Sequence, residues 1–113
     1  MLTSEQKAHF ETFGFILLRQ QFSAQEMNLI SKKFDDAMLQ DRRGQPYAGE
    51  RQHLEPFLEK WTSLKNLIAD DRIYGPVEQL LGPRFVWDGS DANHYVGDTP
   101  WHPDKGVDAI TLG

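Results

Sequence analysis

A chain of 113 residues, 39% hydrophobic and 26% charged, has the length and apolar content of one small folded domain rather than of a disordered segment. Its formal net charge of −5, with no basic run beyond the pair Arg42 and Arg43, argues against non-specific nucleic-acid binding. Cysteine is absent, so disulfides, thiolate zinc sites and thiol nucleophiles are excluded, and any metal has to be held by His, Asp or Glu. The longest apolar run, Phe15 to Leu18, is too short to span a membrane, and no charged and then apolar leader opens the chain. A cytoplasmic protein without membrane or nucleic-acid partners is the default expectation.

Taken in order, Thr3 and Gln6 have the spacing of a capping box, Phe10 and Phe13 share a helical face, and Gly14 is a natural helix stop. Phe15-Ile16-Leu17-Leu18 then reads as a short strand buried on both sides. A second capping box, Ser23 and Glu26, opens a helix running to about Gln40. Phe22 and Met27 occupy the positions of a hydrophobic staple, and Met27, Ile30, Phe34 and Ala37 or Met38 recur at helical spacing. This stripe is read as core packing and given no chemistry. Residues 41–53 are polar and broken by Gly44, Pro46 and Gly49, which predicts a long loop.

Phe57, Trp61, Leu64 and Leu67 or Ile68 mark a third helical stretch. Asp70 or Asp71 caps a fourth, carrying Ile73, Tyr74, Val77, Leu80 and Leu81 and closing at Gly82-Pro83, with a kink or a late start expected at Pro76. After Pro83 the period becomes extended. Arg84 to Trp87 read as a strand, Asp88-Gly89-Ser90 as a turn, Ala92 to Val96 as a second strand and Val107 to Leu112 as a third. The expected fold class is therefore α+β, one unit over 1–113, with a mainly helical part over 1–83 and β structure over 84–113.

The chemistry is concentrated near the end, where His102 and Asp104 form a His-x-Asp unit. On an extended backbone residues i and i+2 share a side, so imidazole and carboxylate can grip one ion. They would be two of the three ligands of an iron-binding facial triad. The same spacing arises by chance often enough that it decides nothing alone. His9 and His53 are read as structural or exposed.

Five stretches in this order resemble the phytanoyl-CoA dioxygenase family: Leu2-Thr3-Ser4-Glu5-Gln6, Phe13-Gly14-Phe15, Phe22-Ser23-Ala24-Gln25-Glu26, Leu80-Leu81-Gly82-Pro83 and Trp101-His102-Pro103-Asp104. The resemblance implies a non-haem oxygenase that uses iron(II), dioxygen and 2-oxoglutarate to hydroxylate a small organic substrate. It implies a double-stranded β-helix, or jelly roll, of which this chain supplies the helical lead-in and the first strands, leaving the barrel incomplete. By position His102 and Asp104 match the first two iron ligands. Asp104 also separates the chain from halogenase-like relatives, which carry a small residue there. Asn93 and Tyr95 resemble positions that contact 2-oxoglutarate, although polar residues on a barrel wall account for them equally well. Trp101 is expected to pack over the metal, and Lys105 could meet an anionic substrate.

The family's third ligand, a downstream histidine, and its 2-oxoglutarate-binding arginine have no counterpart, because neither residue type follows Asp104. The expectation is an N-terminal fragment with little activity alone. Two other readings stay open: a non-catalytic module that binds a partner or itself through an unclosed β edge, and a cupin-like metal-binding jelly roll.

Overall fold

Thr3 has an extended backbone and accepts the N–H of Gln6 at its hydroxyl, while the Gln6 side chain accepts the N–H of Thr3. The reciprocal bonds satisfy donors that a helix start leaves open, and they launch α1, Ser4–Phe13. Gly14, at φ 81°, ends it in the left-handed conformation, with its N–H on Phe10 O. Ser23 and Glu26 repeat the device at the start of α2, Ala24–Asp41. That helix closes with Arg43 left-handed at φ 55° and the Gly44 N–H returning to Leu39 O. The computed structural model describes residues 1–103. Asp104, Lys105 and the strand expected over Val107 to Leu112 lie outside the described residues.

Four further elements follow. Strand β1 is Gln52–Leu54, a 3-10 helix covers Thr62–Ala69, α3 is Asp71–Leu81, and β2 is Ala92–His94. The strands pair antiparallel, with Gln52 opposite His94, His53 opposite Asn93 and Leu54 opposite Ala92. The result is an α+β arrangement with a helical N-terminal region and one short two-stranded sheet. Strand β1 begins at the end of the stretch expected to be loop, 41–53, and β2 is shorter than the expected Ala92 to Val96.

The core is where α2 meets the sheet and the 3-10 helix. Ala37 and Met38 of α2, Leu54 of β1, Ala92 of β2, Phe57 and Leu64 are buried together, with Ile30, Phe34, Leu58, Trp61 and Leu67 packed against them. Phe34 meets Phe57 edge-on, with ring centroids 6.0 Å apart. The helical stripe read from the sequence thus supplies one wall. Gln52 is buried too, and its amide is fully used: it donates to Met38 O and Asp41 Oδ2 at 2.9 Å each and accepts from Arg42 Nη1 at 2.8 Å. These bonds fasten β1 to the end of α2, where carbonyl groups need partners.

Several expectations are corrected. Phe15–Leu18 pairs with no strand among the described residues. It alternates rather than being buried on both sides, with Phe15 and Leu17 exposed and Ile16 and Leu18 half-buried. Arg84 to Trp87 form no strand either. Phe85 packs on Tyr74 of α3 at 5.0 Å and the Trp87 indole donates to Glu59 at 2.9 Å, so side-chain anchors decide this segment's path. The third helix is 3-10 in form and begins at Thr62, after Phe57 and Trp61, with no side-chain cap at Trp61. Helix α3 runs through Pro76. Proline cannot donate to the carbonyl four residues earlier, that of Arg72, and Gln21 Nε2 takes that acceptor instead at 3.0 Å.

Candidate functional site

The register assigns side chains to two faces of the sheet. Gln52, Leu54 and Ala92 are buried toward α2, and on that side His94 stacks on Tyr47, with centroids 4.3 Å apart and planes 14° off parallel. The opposite face carries His53 and Asn93 from the paired strands, joined by the flanking Arg51, Asp91 and Tyr95. Arg51 Nη2 donates to Asn93 Oδ1 at 3.1 Å, and its guanidinium lies 4.9 Å from the Tyr95 ring centroid. Asn93 Nδ2 donates to Asp91 Oδ2 at 2.8 Å, the same oxygen that lies 3.3 Å from His53 Nε2, and Glu55 approaches His53 at 3.7 Å. One face thereby gathers a guanidinium, an amide, a phenol and an imidazole held between two carboxylates.

Of the residues read from the sequence as a possible site, Asn93 and Tyr95 both meet Arg51. His102 is exposed, and its contact is local: Nδ1 lies 3.0 Å from Pro100 O. A carbonyl oxygen only accepts, so the contact is a hydrogen bond when Nδ1 carries a proton, and in that neutral tautomer the lone pair is on Nε2. Trp101, expected to pack over the metal pair, is instead fully exposed. Asp104 lies outside the described residues. Within the described residues no group of three or more His, Asp or Glu side chains has the spacing to hold a metal ion.

His9, read as structural, lies against Phe13 and Phe15 at 4.8 and 4.9 Å. His53, read as structural or exposed, is exposed and contacts Asp91 and Glu55. Arg51 was not legible as a site residue, because a strand of three residues after Gly44, Pro46 and Gly49 leaves no period to read. The alternation of Gln52 and Leu54, both buried, with exposed Arg51 and His53 was the available signal.

A second arginine shows what saturation looks like. Arg72, at the start of α3, reaches Asp70 through Nε and Nη2 at 2.9 and 2.8 Å, both Glu26 oxygens through Nη1, and the Phe22 ring at 4.2 Å. Its side-chain bonds, with that of its own backbone N–H, lower the Asp70 pKa to about 2. Glu26 is also lowered, first by the Ser23 backbone N–H and then by Arg72, while the two carboxylates raise the pKa of Arg72. Beside this knot runs an apolar groove of about 620 Å³, lined among others by Ile16, Leu18, Phe22, Met27, Ile73 and Val77. None of the sheet residues lines it, so this groove and the polar face are separate features.

No helix among the described residues is long and apolar enough to cross a membrane. Comparison of the chain with family models, with curated proteins and with solved structures finds no match.

Proposed function

We propose that this chain contributes to an iron(II)- and 2-oxoglutarate-dependent oxygenase, similar to the phytanoyl-CoA dioxygenase family, that hydroxylates a small organic substrate. His102 and Asp104 supply two metal ligands, and Asn93 and Tyr95 meet the co-substrate. Iron(II) with 2-oxoglutarate supplies the activation of dioxygen for attack on a carbon–hydrogen bond. The observation that carries the reading is the His102 contact. In the tautomer that donates from Nδ1 to Pro100 O, Nε2 is the nitrogen left to ligate, and such a second hydrogen bond is the usual way a metal-binding histidine is oriented. The donor set fits iron(II), which accepts imidazole and carboxylate on one side and leaves positions open. In this reading the antiparallel pair β1 and β2 forms the first part of a jelly roll with the helices outside it.

Two ligands give an incomplete chelate, so iron affinity is expected to be weak but dependent on His102. The test is an anaerobic iron(II) titration followed by paramagnetic broadening of amide resonances. Broadening centred on His102 and lost in His102→Ala supports the site. Broadening that is unchanged in His102→Ala defeats it.

A second reading has its own observation. Among the described residues no backbone group of 15–18 bonds to another backbone group, and Phe15 and Leu17 are 59% and 63% exposed. Such an open edge is a template for pairing with a further strand, so this protein would act as a self-associating module. Concentration-dependent sedimentation that is abolished by Leu17→Lys and indifferent to His102→Ala is the expected result for that module. A monomer at all concentrations removes it.

A further inference from the structure

Arg51 stands in an unusual position for a charged side chain on a crowded polar face. Two possible counter-charges, Asp91 and Glu55, lie close to it in sequence or across the sheet, yet they are engaged elsewhere. Asp91 accepts from Asn93 and sits against His53, and Glu55 lies on the other side of the same imidazole. Among the described residues Arg51 makes no ion pair, and its hydrogen bond goes to a neutral amide oxygen. A guanidinium carries five N–H donors in a rigid fork, so most of them remain for a ligand. The fork is also oriented: Asn93 fixes one nitrogen, and the Tyr95 ring lies 4.9 Å from the guanidinium carbon. Arg72 shows the contrast, since its Nε, Nη1 and Nη2 are all taken by Asp70 and Glu26.

We propose that Arg51, oriented by Asn93 and Tyr95, is the anchor for a carboxylate group of a small organic acid on the face of the β1–β2 pair opposite α2. The planar carboxylate matches the fork in a two-bond pairing, which is stronger and more directional than a contact with a single-point cation. The Tyr95 ring covers one side of the bound group. The Asp91 and Glu55 carboxylates, held at His53, repel a ligand that approaches from their side and so select the approach along Arg51. The inference deepens the oxygenase reading, because 2-oxoglutarate is such an acid and Asn93 and Tyr95 are the positions assigned to it. It requires no metal, which allows the two to fail separately.

The experiment is a titration of metal-free protein with 2-oxoglutarate, with acetate and inorganic phosphate as comparison anions, followed by NMR of the arginine Nε–H and asparagine side-chain amides. Saturable shifts of the Arg51 and Asn93 signals are expected with 2-oxoglutarate, and affinity should fall as salt rises. Arg51→Gln should weaken binding by about tenfold or more, the scale of one charge-assisted contact, and Arg51→Lys should recover only part of it. Binding of equal strength in the parent and Arg51→Gln, or shifts that appear only away from Arg51, overturns the inference. Phosphate shifting the same signals more strongly than either carboxylate also overturns it, since the site would then be a general anion contact. If His102→Ala leaves iron binding unchanged while 2-oxoglutarate still needs Arg51, the oxygenase reading falls and the anchor stands. The reverse pattern removes the anchor alone.

Discussion

Two arginines, one at the junction of α2 and α3 and one at the edge of the sheet, have opposite surroundings in the same small protein. Arg72 is ringed by Asp70, Glu26, Gln21 O and the face of Phe22. Arg51 touches an amide and a phenol ring. The first arrangement binds chain segments far apart in sequence and engages all three guanidinium nitrogens. The second holds a charge in place without using it. The comparison teaches that exposure says little about role here, since both side chains are open to solvent. What separates them is whether their donors are already taken.

The largest expected effect lies beneath the sheet. Leu54, 2% exposed, joins β1 to α2, and Leu54→Ala should cost about 2–5 kcal/mol, read as a lower urea midpoint. Amide exchange should quicken around Arg51 and Asn93 before it does around Arg72. Simultaneous loosening of both regions would break the distinction between them.

Arg72→Ala comes next, and its mark is in the pH dependence. The Asp70 pKa is depressed from 3.8 to about 2. A depressed carboxylate stabilises the fold above its unfolded pKa and loses that contribution as pH falls through the folded one. The parent should therefore lose stability progressively from about pH 4 to about pH 2. The variant should show a flatter melting-temperature profile across this window. A profile as steep as the parent's would mean that Arg72 is not what holds Asp70 ionised.

Gln21→Ala leaves Arg72 O without its donor, and about 0.5–1.5 kcal/mol should be lost. The same substitution should cost less in a Pro76→Ala background, where residue 76 regains an N–H for that carbonyl. Equal costs in the two backgrounds would refute the link. The smallest effect is expected at Thr3→Ala, about 0.5 kcal/mol, because α1 buries little and its cap is exposed.

Both helix starts were legible because a capping box is local, needing only four residues and two side chains. The α2 stripe was legible because Ile30, Phe34 and Ala37 or Met38 obey a period long enough to see. The partnership of β1 with β2 was not, since it joins short segments about forty residues apart in sequence and rests on Gln52, a polar residue that earns burial only through Met38 O, Asp41 and Arg42. Apolar character likewise misled at Phe15–Leu18 and Arg84–Trp87, where extended propensity was present and a partner strand was not found among the described residues. For the site, residue types near the end were visible, whereas Arg51 emerges only once the register brings it beside Asn93.

Pro76 shows how a local defect can act at long range. By withholding one N–H it turns the side of α3 into an open acceptor at Arg72 O, and the donor that answers comes from Gln21, 51 positions before Arg72. Together with the bond from Arg72 Nη1 to Gln21 O, that contact ties the link between α1 and α2 to α3 beside the Glu26–Arg72 pair. The residue that ordinarily interrupts a helix serves here as an address, telling a distant stretch of chain where to stop.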